Sequence, residues 1–133
     1  MLIKQNFING SGGGNAIMKD DSEFSIPKAN NTQFDIDTGL NSISKFSFFG
    51  VSRNNGVSTE EVLAYDSRYP NKYTTSYCSQ YGNQGGSNYN FGSLGNSYAF
   101  GIHSITGGVV RMITPNEGSD YYDLKDYFIF AAE

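Results

Sequence analysis

The chain has 133 residues, a length that fits one domain, and a chain of that size buries roughly two-thirds of its unfolded surface without disulfide staples. It is 38% hydrophobic and 15% aromatic, lacks Trp, and is only 17% charged, with a net charge of −4. That balance argues against a nucleic-acid binder, which needs clustered Lys and Arg, and the single cysteine rules out a disulfide within the chain.

The first nine residues form a short strand or an extended arm, with Leu2, Ile3, Phe7 and Ile8 as apolar anchors. The run Gly10-Ser11-Gly12-Gly13-Gly14-Asn15 is a hinge by composition, so residues 1–15 read as an arm ahead of a domain over 16–133. The opening segment is too short and interrupted for a signal sequence, and no apolar run is long enough to span a membrane. The expectation is a protein made in a cytoplasm with no membrane insertion.

Residues 16–31 are mixed, with Asp20, Asp21 and Glu23 on a solvated face. Alternation over Thr32–Asp37 puts Phe34 and Ile36 on one side of a strand. In Ile43–Arg53, Phe46 and Phe48 share one face while Phe49 and Val51 share the other, which suggests a bulge or a strand covered on both sides. Asn55-Gly56 then signals a hairpin into the EVLAYD strand, and Asp66–Asn71 is a turn.

From Tyr73 to Val110 the chain holds no Asp, Glu, Lys or Arg and is dominated by Tyr, Ser, Asn and Gly. Tyrosine offers rigid contact area, while Ser, Asn and Gly offer adaptable hydrogen bonds. Strict alternation over Lys72–Tyr81 aligns Tyr73, Tyr77 and Tyr81. Gly82–Ser87 reads as a loop; Tyr89 and Phe91 share a face, and Tyr98, Phe100 and Ile102 align on the next strand. Tyr77, Tyr81, Tyr89 and Tyr98 are the candidate ligand or interface residues, and the tract is either core or contact surface. Gly107-Gly108 marks a second hairpin, Asn116–Asp126 is an acidic loop, and Tyr127–Ala132 is a closing strand. About eight strands with turn signals between them predict an all-β antiparallel sandwich, jelly-roll-like, with an N-terminal arm.

Catalytic and metal signals are weak. His103 is the only histidine, so neither a multi-histidine site nor a complete zinc site with Cys78 is expected, and no cofactor is implied. Cys78 reads as a buried structural thiol. Glu60, Glu61 and Asp66 would be the carboxylates of a sugar hydrolase, but acids beside a hairpin are usually solvated. The chain reads as a non-enzyme.

Three stretches carry a resemblance: Asp37-Thr38-Gly39-Leu40-x-x-Ile43-x-x-Phe46, Tyr65-Asp66-Ser67-x-x-Pro70-x-x-Tyr73, and Ser104-Ile105-x-Gly107-Gly108-x-Val110. They resemble small β-sandwich domains of tailed bacteriophages, which end tail fibres and tail-tip proteins or decorate capsids. The similarity spans roughly residues 35–133. It implies a homo-oligomeric virion-surface protein, often a trimer, with no catalytic residues to carry over. The short chain beginning at Met1 points to a capsid decoration protein whose arm docks on the major capsid protein. The alternative is a receptor-binding or lectin-like tail module that recognises host cell-surface glycan through the tyrosine tract.

Overall fold

A computed structural model describes residues 3–6, 14–54, 57–79, 84–93, 99–116 and 126–133. Among the described residues there are ten strands and no helix. They are β1 (Ile3–Asn6), β2 (Asn15–Asp20), β3 (Gln33–Asp37), β4 (Lys45–Asn54), β5 (Val57–Asp66), β6 (Lys72–Ser79), β7 (Gln84–Asn90), β8 (Gly101–Thr106), β9 (Val109–Ile113) and β10 (Asp126–Ala132). Seven form one sheet in the order β1-β2-β10-β4-β5-β6-β7, and three form a second in the order β3-β9-β8. Every pairing is antiparallel. The expected all-β sandwich is therefore the fold, with its strands divided seven and three.

The two sheets share one core. Phe46, Phe48, Leu63, Tyr73 and Ile129 come from the larger sheet; Phe34, Ile36, Ile102, Val110 and Met112 come from the smaller. Phe48 sits at the centre, its ring 5.0 Å from Phe100 and 5.1 Å from Tyr127, and Phe100 in turn meets Phe34 edge-on at 6.1 Å. Each such buried side chain contributes about 1.5–3 kcal/mol relative to exposure. Gly50 pairs with Tyr127, and a Cβ there would fall 2.0 Å from that ring, so only glycine lets the tyrosine lie across β4.

The 38–40 segment is tied to the β8–β9 hairpin. Thr38 donates from both its amide (3.0 Å) and its hydroxyl (2.6 Å) to the Gly108 carbonyl, and the same hydroxyl accepts from the Leu40 amide at 3.2 Å. The backbones approach so closely that a Cβ on Gly108 would lie 1.8 Å from the Leu40 carbonyl oxygen. Thr114 does the same work at the other end of β9: its hydroxyl donates to the Ala29 carbonyl at 2.6 Å and accepts from the Thr32 amide at 2.8 Å.

Several expectations are corrected. Residues 16–31 read as mixed, and the start of that stretch belongs to β2, inserted between β1 and β10. Within the segment read as a short strand or an extended arm, Ile3–Asn6 form the strand β1, whose Ile3 pairs with Met18. β4 runs in unbroken register with β5 and β10, so it has no bulge; Phe49 instead faces outward and stacks on Phe128 at 4.9 Å. The irregularity lies in β8, where the register shifts between Ile102 and Ser104 around His103. Residues 84–87, expected in a loop, belong to β7.

Candidate functional site

Alternation along the strands that sends Phe46, Phe48, Leu63 and Tyr73 inward sends their neighbours to the open face of the seven-stranded sheet. One cross-strand row on that face runs Met18, Phe130, Ser47, Ala64, Thr74, Asn88. Ser47 and Ala64 are small. The gap they leave between Phe130 and Thr74 is the floor of a cleft of ≈ 590 Å³. That size is within the range of small-molecule sites.

Lys45, Asp66, Lys72 and Tyr69 also line the cleft. Tyr69 is placed by the turn from β5 to β6. Asp66 caps that turn: its Oδ1 accepts from the Arg68 amide at 3.0 Å, and the Tyr69 amide donates to the Asp66 carbonyl at 2.9 Å. A second turn follows at once. The Lys72 amide donates to the Tyr69 carbonyl at 3.2 Å, with Pro70 at the second position and Asn71, at φ 60°, at the third. Proline with preset φ followed by a residue that tolerates positive φ is the chemistry of a type II turn. The Phe91 amide donates to the Asn71 carbonyl at 2.8 Å and fastens the turn to the chain beyond β7.

An electrostatic chain orients the aromatic ring. Arg68 binds the Asp66 carboxylate through Nε at 3.2 Å and through its terminal nitrogen at 2.8 Å. This pairing, reinforced by the Arg68 amide, holds the Asp66 carboxyl at about 2. The Arg68 guanidinium lies 5.9 Å from the centre of the Tyr69 ring, within cation–π range. Tyr69 nevertheless remains 63% exposed. Lys45 Nζ is 3.8 Å from the same Asp66 carboxylate.

On the inward face of the same sheet a charged side chain sits in the core. Glu61, expected to be solvated, is only 4% exposed, because it shares the inward face of β5 with Leu63. Its Oε1 accepts from the Phe100 amide at 2.8 Å, bridging the two sheets. Burial pushes its carboxyl well above the usual range. Thr75, also inward-facing on β6, neighbours this carboxyl, yet its buried hydroxyl makes no hydrogen bond of normal geometry. Tyr73 is buried nearby and its hydroxyl donates to the Ser93 carbonyl. Burial, then the proximity of Glu61, pushes the Tyr73 phenol up.

The sequence-derived candidates fall mostly elsewhere. Tyr89 is half-buried, stacks on Tyr73 at 5.8 Å and packs against the core, so it supports the fold from the sheet edge. Tyr77 lies in β6 opposite Glu61 and Gly85. Leu2, Phe7, Ile8, Tyr81 and Tyr98 lie outside the described residues, and of Ile3 the backbone pairing alone is described. Of the cleft's lining residues, Tyr69, Lys72 and Asn88 are not among those candidates. The available signal was Tyr69 itself: an aromatic ring next to the proline of a tight turn cannot reach the core.

Glu61 and Asp66 face opposite sides of β5, so they form no carboxylate pair. Cys78 and His103 belong to different sheets. The His103 ring is half-buried, with Nδ1 3.1 Å from Ser104 Oγ. Among the described residues no three His, Cys, Asp or Glu side chains gather to hold a metal, and no helix is long and apolar enough to cross a membrane. No protein-family model, curated protein or solved structure matches this chain.

Proposed function

We propose that the protein is a non-enzymatic β-sandwich of a tailed-phage virion surface that recognises host cell-surface glycan through the cleft beside Tyr69. The supporting observation is the cleft: an apolar floor, a prearranged exposed aromatic ring, and hydroxyl, amide, carboxylate and ammonium groups around it. A pyranose presents an apolar C–H face and a rim of hydroxyls, and this arrangement offers a partner to each. The rigid turn lowers the ordering cost of binding. The test is binding of wild-type and Tyr69→Ala protein to host cell envelopes, alongside a thermal melt. Tyr69 is exposed, so the melt should hold while binding falls about tenfold or more, as for a central aromatic anchor. Full binding by the folded variant would refute the reading.

A second reading, capsid decoration, has its own observation. Met18 (41% exposed), Phe128 (38%) and Val62 (44%) leave apolar area open on the same sheet face, beside Phe49. A major capsid protein covering that area would bury it, and a trimer would place three copies at once. Phe128→Ser protein should then fill fewer sites on undecorated particles than wild type. Under the glycan reading the two would behave alike in that assay.

A further inference from the structure

We infer that the ligand of the cleft is an anionic glycan, whose carboxylate or phosphate lies between Lys45 and Lys72. The inference rests on the glycan reading and narrows it to a chemical class.

The charges carry it. The chain as a whole is acidic, at −4, yet the cleft is lined by two lysines and a single carboxylate. That carboxylate is already engaged. Arg68 holds Asp66 through its side chain and its amide, with a closest contact of 2.8 Å, whereas Lys45 stands at 3.8 Å. Arg68 and Lys45 both face this one carboxylate and Lys72 stands beside them, so three cations around a single acid leave the cleft a surplus of positive charge. Lys72 makes no ion pair among the described residues, and the Lys45 side chain is 60% exposed.

A neutral sugar seated in the cleft would accept hydrogen bonds from these ammonium groups but would leave their charge uncompensated. An anion would return a charge-assisted hydrogen bond to each. Lys45 and Lys72 are exposed, so this attraction is that of a solvated site and weakens as salt screens it. Asp66 does not repel the ligand strongly, because its charge is spent on Arg68. The same Asp66–Arg68 pair holds Tyr69 in place, so one ion pair both neutralises the acid and positions the stacking ring.

The experiment begins with an array of microbial surface glycans that includes neutral, carboxylated and phosphorylated members. It continues with a matched pair, an oligogalacturonate and its methyl ester, titrated calorimetrically at low and high salt. The sugar and its stacking face are constant across the pair; only the charge changes. The expected result is binding concentrated among charged glycans, with the acid about tenfold tighter than the ester at low salt and the gap narrowing as salt screens it. Lys72→Gln and Lys45→Gln should each close most of that gap, and Lys72→Arg should restore it. Equal binding of acid and ester, with neutral glycans on the array bound as well, would overturn the charge inference and leave the glycan reading standing. Binding to no glycan of any class would overturn both.

Discussion

Replacing Glu61 by Gln tests the buried link between the two sheets. Glu61 is 4% exposed, and its Oε1 accepts one hydrogen bond, from the Phe100 amide at 2.8 Å. A glutamine oxygen can accept the same bond without bringing a charge into the core. In the wild type, burial raises the folded-state pKa above the ordinary 4.5. The folded state therefore binds the Glu61 proton more tightly than the unfolded state does. The stability this contributes is fully present below the unfolded value and is lost as pH rises from there toward the raised folded value. Within that window the slope approaches about 1.4 kcal/mol per pH unit, the value for a difference of one proton. Urea melts of both proteins at a series of pH values from acid to mildly alkaline supply the assay. The expected result is a wild type that loses stability relative to Glu61→Gln as pH rises, with the variant the more stable at neutral pH. Glu61→Ala separates the hydrogen bond from the charge. It leaves the Phe100 amide without its acceptor, at about 1–3 kcal/mol, at every pH. A pH-independent difference between wild type and Glu61→Gln would refute the burial argument.

Three further outcomes follow from the packing. Gly108→Ala should cost about 3 kcal/mol or more by chemical melt, at or above the usual range for overpacking, because its Cβ would collide with backbone at 1.8 Å rather than with a movable side chain. Phe48→Ala, at a fully buried position with rings on two sides, should cost about 3–5 kcal/mol in the same measurement. Asn71→Val should cost about 1–2 kcal/mol, since its φ of 60° suits Asn and Gly but not a β-branched residue, whereas Asn71→Gly should melt within about 0.5 kcal/mol of wild type.

Local signals in the sequence carried the hairpins. Asn55-Gly56 and Gly107-Gly108 each sit between strands that pair right up to the turn, Asn54 with Val57 and Thr106 with Val109. Period-two alternation likewise put Phe34 with Ile36, Phe46 with Phe48, and Phe100 with Ile102 on shared faces, and those faces are the core. Long-range pairing was not legible. β2 has three apolar residues in a row and no alternation, and it exists as a strand because β1 and β10 supply its hydrogen bonds from either side. Its charge and its place near a hairpin make Glu61 read as solvated, although it has the same parity as Leu63 and Tyr65. Parity is the better guide, because the amide of Phe100, just ahead of β8 and nearly forty residues away, arrives to satisfy it. The site was missed for a related reason. Composition drew attention to the tyrosine tract, of which Tyr73 and Tyr89 serve the core, while the cleft is built by cross-strand neighbours and by a turn whose tyrosine stands alone in sequence.

The central claim is that the open face of the seven-stranded sheet, beside Tyr69, is where this protein meets its ligand. Mapping amide chemical-shift changes as a fragment of host cell-wall glycan is titrated into the labelled protein tests it most directly. The expected changes cluster at Ser47, Ala64, Arg68, Tyr69, Lys72, Thr74 and Asn88, with the three-stranded sheet unmoved. Saturable changes confined to β3, β8 and β9, or to the β1 edge, with those cleft amides unshifted, would contradict it.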